Sequence, residues 1–328
     1  MVNIVNDMSL IGQQMLDGVV TSYPHLAQMD KTGIIYQKHQ DDQIIPIISG
    51  GGSGHEPAHF GFVGRGMLTA AVSGPIFVPP KAKHIFQAIQ TVNRGKGVFL
   101  IIKNFEADLK EFHQAIQEAN QAGISTKYVI SHDDISVDTY NFHMRHRGVA
   151  GTILLHKILG QAAVQGASLD QLEDLALELS VHIHTLAVAT RPATIPGQDT
   201  PLFQLGPQEI SFGIGIHGEP GYRTVNFVSS ERLANELVNK LKMKFRWQDG
   251  DEYIVLINNL GATPLMEQLI FTNDVMRLLE LEGIKVNFLK TGKYMTSLDM
   301  AGLSLTMCPI KNQLWLDYLQ APTQAFAW

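Results

Sequence analysis

Short apolar runs alternate with segments of helical spacing along most of the chain. Residues 44–50, IIPIISG, form a β-branched run that ends in a cluster of glycines. Residues 97–104, GVFLIIKN, form a continuous apolar run of strand length, as expected for a strand covered on both faces. In the ADLKEFHQAIQEANQAG that follows, Leu109, Phe112, Ile116 and Ala119 fall at helical spacing and Gly123 supplies the stop. TKYVIS then has the pattern of the next strand. This strand–helix–strand rhythm implies a parallel or mostly parallel sheet.

An apolar helix, GVAGTILLHKILGQAAVQG, comes next, and an acidic helix from about Ser168 to Ser180 follows it. Residues 191–207 are rich in Pro, Thr and Gly and form a loop by composition. The second half repeats the grammar. ISFGIGIHGEPG is an alternating strand that enters a turn, and DEYIVLINNLGATP is a strand followed by a helix start. Thr263 is the expected N-cap of that helix and Pro264 its first residue, with Gly283 closing it. IKVNFLKTG and GLSLTMCPI are further strands. The chain has 328 residues, more than one hydrophobic core usually serves. The expected organisation is therefore two α/β domains, 1–180 and 181–328. Each should hold a mostly parallel or mixed sheet flanked by helices.

Composition narrows the function classes. Hydrophobic residues make up 45% and charged residues 17%, as in a well-buried globular protein. The formal net charge is -6, and no basic stripe is present. Direct nucleic-acid binding is not expected, although binding through a partner stays open. The single cysteine, Cys308, cannot form an intrachain disulfide. No secretory leader pattern and no membrane-length apolar stretch is present, so the expected location is the cytoplasm, with no membrane contact.

The candidate chemistry begins at residues 49–59, SGGGSGHEPAH, where His55 to His59 satisfy the H-E-x-x-H pattern. A zinc site of that type needs both histidines on one helical face, and Pro57 breaks that face. From Phe60 to Phe105 no Asp or Glu supplies a third ligand. The segment also lacks the Gly-Lys-Ser/Thr ending of a P-loop and the glycine spacing of a dinucleotide fold. No metal and no cofactor is expected. The glycines allow close approach of backbone N–H groups to a ligand, and equally allow a tight turn with no ligand. Lys103 and Asp108 flank a strand-to-helix turn, where Asp108 could serve only as a helix N-terminal carboxylate. His217 stands in GIHGEPG at a strand end, where a surface turn histidine is the ordinary alternative. Ligands of open α/β sheets gather at such ends.

Taken together, SGGGSGHEPAHFGFVGRGML, GVFLIIKNF with the aspartate that follows, RGVAGT, FGIGIHGEPG and NNLGATP resemble the dihydroxyacetone-binding subunit of the phosphotransferase-linked dihydroxyacetone kinases. The likeness spans nearly the whole chain. It implies a homodimer of two-domain α/β protomers, with a fold of the kind shared with DegV proteins. It also implies that His217 attacks the carbonyl carbon of dihydroxyacetone and holds it as a hemiaminal. A neutral imidazole is a competent nucleophile near neutral pH. Having no second proton to lose, its adduct cannot dehydrate to a Schiff base. Glycerol has no electrophilic carbon and cannot be captured in this way. By the same resemblance Gly52, Ser53, Gly54, His55, Lys103 and Asp108 line the ligand, with His55 placed for proton transfer and Asp108 accepting from a ligand hydroxyl.

Two stretches depart from the kinase pattern. Val78-Pro79-Pro80 stand where kinase members usually read Thr-Ser-Pro. Asn141 to His146 stand where they usually read close to Leu-Tyr-Thr-Thr/Ala-Gly-Arg. The resemblance implies that in kinase members a separate nucleotide-bearing subunit docks over the pocket, and such changes should alter that docking rim more than a buried pocket. The combination resembles the regulatory, Q-type coactivator branch of the family. That branch implies a non-enzymatic role, in which the protein captures dihydroxyacetone and assists a TetR-like activator (of the DhaS type) at the kinase operon. The alternative is an ordinary substrate-binding kinase subunit. Segments 75–84 and 138–147 are the expected partner surface.

Overall fold

The computed structural model describes residues 3–29, 31–136 and 146–328. They divide into two compact units. The first comprises Met1–His132, Thr152–Ser180 and Tyr318–Trp328, and the second Asp133–Gly151 and Val181–Asp317.

The first unit holds α1 (Ile11–Ser22), β1 (Leu26–Met29), β2 (Ile34–Gln37), β3 (Ile47–Ser53), β4 (Ala70–Ile76), α2 (Ala82–Val92), β5 (Val98–Lys103), α3 (Glu106–Gln121), β6 (Thr126–Ser131), α4 (Thr152–Val164) and α5 (Leu169–Ser180). Its six-stranded sheet has the order β1-β2-β4-β3-β5-β6. The pairs β3–β4, β3–β5 and β5–β6 are parallel, and β1 and β2 add an antiparallel edge. The apolar run expected to be a doubly covered strand is β5, all six of whose residues are buried. On one face the inward side chains of α2 and α3, including Ile85, Ile89, Phe112 and Ile116, pack with Ile48, Val72, Leu100 and Ile102. Helix α4 is buried at every position from Thr152 to Ala163, as an all-round apolar helix must be.

The glycine cluster lies inside a strand. β3 continues through Gly50, Gly51 and Gly52 to Ser53, paired along its length with β4. Glycine is required there because protein occupies the space of a side chain. A Cβ on Gly52 would stand 2.7 Å from the Val78 nitrogen and 2.9 Å from the Phe77 backbone. β3 therefore ends pressed against the 77–78 backbone.

The second unit holds β7 (His184–Arg191), β8 (Glu209–Phe212), β9 (Arg223–Asn226), α6 (Ser230–Phe245), β10 (Glu252–Asn259), α7 (Leu265–Leu281), β11 (Lys285–Gly292) and β12 (Ala301–Pro309). A final helix, α8 (Gln313–Gln320), runs from the second unit into the first. The sheet order is β11-β10-β12-β7-β8-β9. Among the pairs of its described strands only β10–β11 is parallel, so this sheet is the mixed kind. Its core joins Leu233, Leu237, Val238, Phe271 and Val275 of α6 and α7 to Val255, Ile257, Leu305 and Met307.

Two local expectations are corrected. The alternating segment 210–221 is strand only to Phe212, because Gly213 takes a positive φ of 78° and its N–H turns to the Ala187 carbonyl. The N-cap of α7 is Pro264 rather than Thr263. The Thr263 hydroxyl is committed elsewhere, donating to the Gly302 carbonyl and accepting from the Gly302 N–H, each at 2.8 Å.

Candidate functional site

In the first unit the sequence-selected residues gather at the carboxyl ends of β3 and β5, the position where parallel strands present ligands. Lys103 is the last residue of β5 and is 1% exposed. Asp108 lies in the first turn of α3 and is also buried. A Cβ on Gly51 would stand 2.6 Å from Lys103 Nζ and 3.4 Å from Asp108 Oδ1, so the missing side chain makes room for both. Ser53 is held by its hydroxyl, which donates to the Gly74 carbonyl at 2.7 Å. The Gly54 N–H, on a residue with φ of 99°, donates to Glu56 Oε1 at 2.8 Å. Burial raises the Glu56 carboxyl despite the opposing backbone hydrogen bonds from Gly54 and Glu56. His55 is fully buried and stacks on Phe77, with ring centroids 5.0 Å apart.

Residues 55–59 are not helical but a run of turns, followed by a single 3₁₀ turn at Phe60–Phe62. No helix therefore starts at Glu56-Pro57. His59 points instead to His156 of α4, with Nδ1 and Nε2 2.9 Å apart.

His217 belongs to the second unit. It sits in the connection between β8 and β9, two antiparallel neighbours, so it is not at the carboxyl end of a parallel strand. The connection folds on itself. The Gly215 N–H donates to the Glu219 carbonyl at 3.0 Å, and the Gly218 N–H to the Gly215 carbonyl at 3.1 Å. Glu219 then grips His217 twice, taking the backbone N–H on Oε2 at 3.0 Å and facing ring Nδ1 with Oε1 at 2.9 Å. Gly215 lets this happen, because a Cβ there would overlap Glu219 Oε2 and the Arg147 guanidinium. Burial pushes the Glu219 carboxyl up, but the hydrogen bond and charge of His217, with Arg147 nearby, outweigh it and hold it at about 2. An ionised carboxylate can only accept, so Nδ1 of a neutral His217 ring carries the proton and Nε2 the lone pair.

Arg147 and Glu219 carry this geometry and went without a role in the sequence reading. Arg147 Nε donates to Asp134 at 2.7 Å, and another guanidinium nitrogen to Ser136 Oγ and the Gly213 carbonyl. Glu219 stands two residues from His217 inside GIHGEPG, which was the available signal. Arg147 opens RGVAGT, but nothing local tied it to a turn some seventy residues later. Of the two departing segments, Val78 is exposed and Pro80 buried. Positions 141–145 lie outside the described residues, and His146 is half-buried.

The Dak1 domain profile matches residues 17–327. The chain belongs to the Dak1 family. Among Dak1 relatives, the DhaKLM operon coactivator DhaQ of Lactococcus lactis is 60% identical over 98% of this chain and 99% of its own. The dihydroxyacetone-binding subunit DhaK of the same organism's PTS-dependent kinase is 46% identical over 99% of this chain and 98% of its own. The solved structure of the dihydroxyacetone kinase operon co-activator Dha-DhaQ matches with a TM-score of 0.93 at 60% identity, covering 96% of this chain and 97% of that one.

Proposed function

We propose that the chain captures dihydroxyacetone on His217 and, so loaded, acts as coactivator of a TetR-like activator of a dihydroxyacetone kinase operon. The observation that carries the capture is the Glu219 clamp on Nδ1, which leaves Nε2 as the nucleophile. The Nε2 lone pair forms the bond to the carbonyl carbon, and the carbonyl π pair moves to oxygen. That oxygen takes a proton, a transfer assigned to His55 as general acid. The ring keeps its Nδ1 proton and becomes cationic against the Glu219 carboxylate, which stabilises the adduct. Gly52, Ser53, Gly54, Lys103 and Asp108 serve the ligand hydroxyls, with Asp108 as acceptor.

The coactivator role draws support from 60% identity to DhaQ over nearly the full length of both chains, against 46% to DhaK. It also fits the formal net charge of -6, with DNA contacts left to the partner. The protomers pair as homodimers in the cytoplasm. No described helix is long and apolar enough to cross a membrane.

A paired assay tests this. The full chain is mixed with the nucleotide-bearing kinase subunit, dihydroxyacetone and a phosphoryl donor, and separately with a TetR-like regulator with and without the triose. Association with the regulator only when the triose is present is the expected result. Robust dihydroxyacetone phosphate formation would assign the chain to the kinase instead.

A further inference from the structure

The second histidine of the HEPAH segment, His59, takes no part in capture as assigned to His217 and His55. It is 3% exposed, and its partner His156 is fully buried. Their rings lie 5.1 Å apart between centroids and share one hydrogen bond, Nδ1 to Nε2 at 2.9 Å. The outer nitrogens, His59 Nε2 and His156 Nδ1, have no hydrogen-bond partner among the described residues. Leaving a buried donor or acceptor in that state costs its full desolvation penalty. Two apolar side chains of similar size would avoid this cost, so packing stability alone does not account for the pair.

The charged surroundings suggest what does. Lys103, from the end of β5, acts on both rings, and His55, from the preceding turn, acts on His59. Asp108 of α3 lies against Gly51 alongside the Lys103 ammonium, and Glu56 is engaged with the Gly54 N–H. Lys157, the next residue on α4, is turned to the Tyr318 and Ala321 carbonyls. Burial holds His59 well below its ordinary value and His156 down to about 3, and the Lys103 charge adds to both. A third proton on the pair would place a second buried cation beside an ammonium. The shared hydrogen bond needs one N–H and one lone pair, which two neutral rings supply in either of two tautomers.

We propose that His59 and His156 act as one neutral, hydrogen-bonded unit that fixes the protonation pattern around Lys103, so that His55 alone among these three imidazoles exchanges a proton during capture. The two are positioning residues that gain and lose no proton in the reaction. The inference rests on the proton role given to His55.

The test uses the full chain labelled with nitrogen-15 at histidine, the rings being assigned through His59→Gln and His156→Gln. Ring nitrogen shifts are followed from about pH 5.5 to about pH 8.5, the window in which an ordinary imidazole titrates. Both rings are expected to keep neutral shifts throughout, and a ring that takes up a proton in this window overturns the proposal. The rate of dihydroxyacetone uptake is measured alongside. His156→Gln, neutral and able both to donate and to accept, should stay within about threefold of wild type. His156→Leu, which takes the partner from His59 Nδ1, should slow uptake by about tenfold, a fraction of a full acid–base contribution that His156→Gln does not lose. An unchanged rate in His156→Leu, with fold checked by circular dichroism, would also overturn it. If the wild-type chain takes up no triose, the His217 assignment fails while the ring titration still decides the pair.

Discussion

Replacing Glu219 by Gln isolates the charge in the clamp on His217. The amide keeps the size of the side chain and can still accept from ring Nδ1–H, but it carries no charge. In the structure Nδ1 lies 2.9 Å from Oε1, and a guanidinium nitrogen of Arg147 lies 3.8 Å from Oε2. Hydrogen bonds to charged groups contribute about 1.5–3 kcal/mol and neutral ones about 1. Once the adduct makes the ring cationic, losing the charge should cost it about 1–2 kcal/mol, or about 5- to 30-fold in retention of the triose. The Glu219 side chain is 32% exposed, so solvent screening favours the lower part of that range. Equilibrium dialysis of labelled dihydroxyacetone at neutral pH measures the effect directly. A Glu219→Gln chain that holds the triose as tightly as wild type would refute the claim that this carboxylate stabilises a cationic adduct.

Four further outcomes are expected. The Glu219 carboxyl is depressed from an ordinary 4.5 to about 2, so its stabilisation is complete above about 4.5 and disappears as pH falls through about 2. Acid unfolding curves of wild type and Glu219→Gln should converge across that interval; a stability difference unchanged down to pH 2 would contradict the assignment. Gly52→Ala drives a Cβ into the Phe77–Val78 backbone and should destabilise by about 1–3 kcal/mol, read as a lower denaturation midpoint with slower triose uptake. Arg147→Leu leaves Asp134, whose side chain is 4% exposed, without its 2.7 Å partner and should cost about 3–5 kcal/mol in urea unfolding. Asp108→Asn should weaken triose retention with little change in fold, and equal retention would remove it from the set of ligand acceptors.

The fold was legible where side-chain pattern follows burial. The 97–104 run became β5, and Leu109, Phe112, Ile116 and Ala119 became the buried face of α3. Strand direction was not legible in the second unit. β12 is buried at all nine positions although both its neighbours are antiparallel, and a doubly covered strand shows the same apolar run in either direction. The glycines of β3 suggested a loop because glycine is usual in turns. Their cause is instead the Lys103 ammonium and the 77–78 backbone lying across them, contacts no local pattern reveals. Thr263 showed the composition of an N-cap, but a tertiary bond to Gly302 claims its hydroxyl. His217 and Glu219 were visible inside one short motif. Arg147 and His156 were not, because each meets its partners across long sequence separations.

The most direct test of capture by His217 is carbon-13 NMR of the full chain with dihydroxyacetone labelled at its central carbon. The bound carbon should leave the carbonyl region for a tetrahedral shift and couple to a His217 ring nitrogen, and the signal should vanish in His217→Ala. A bound triose that keeps its carbonyl signal, or a tetrahedral signal that survives in His217→Ala, would contradict the account.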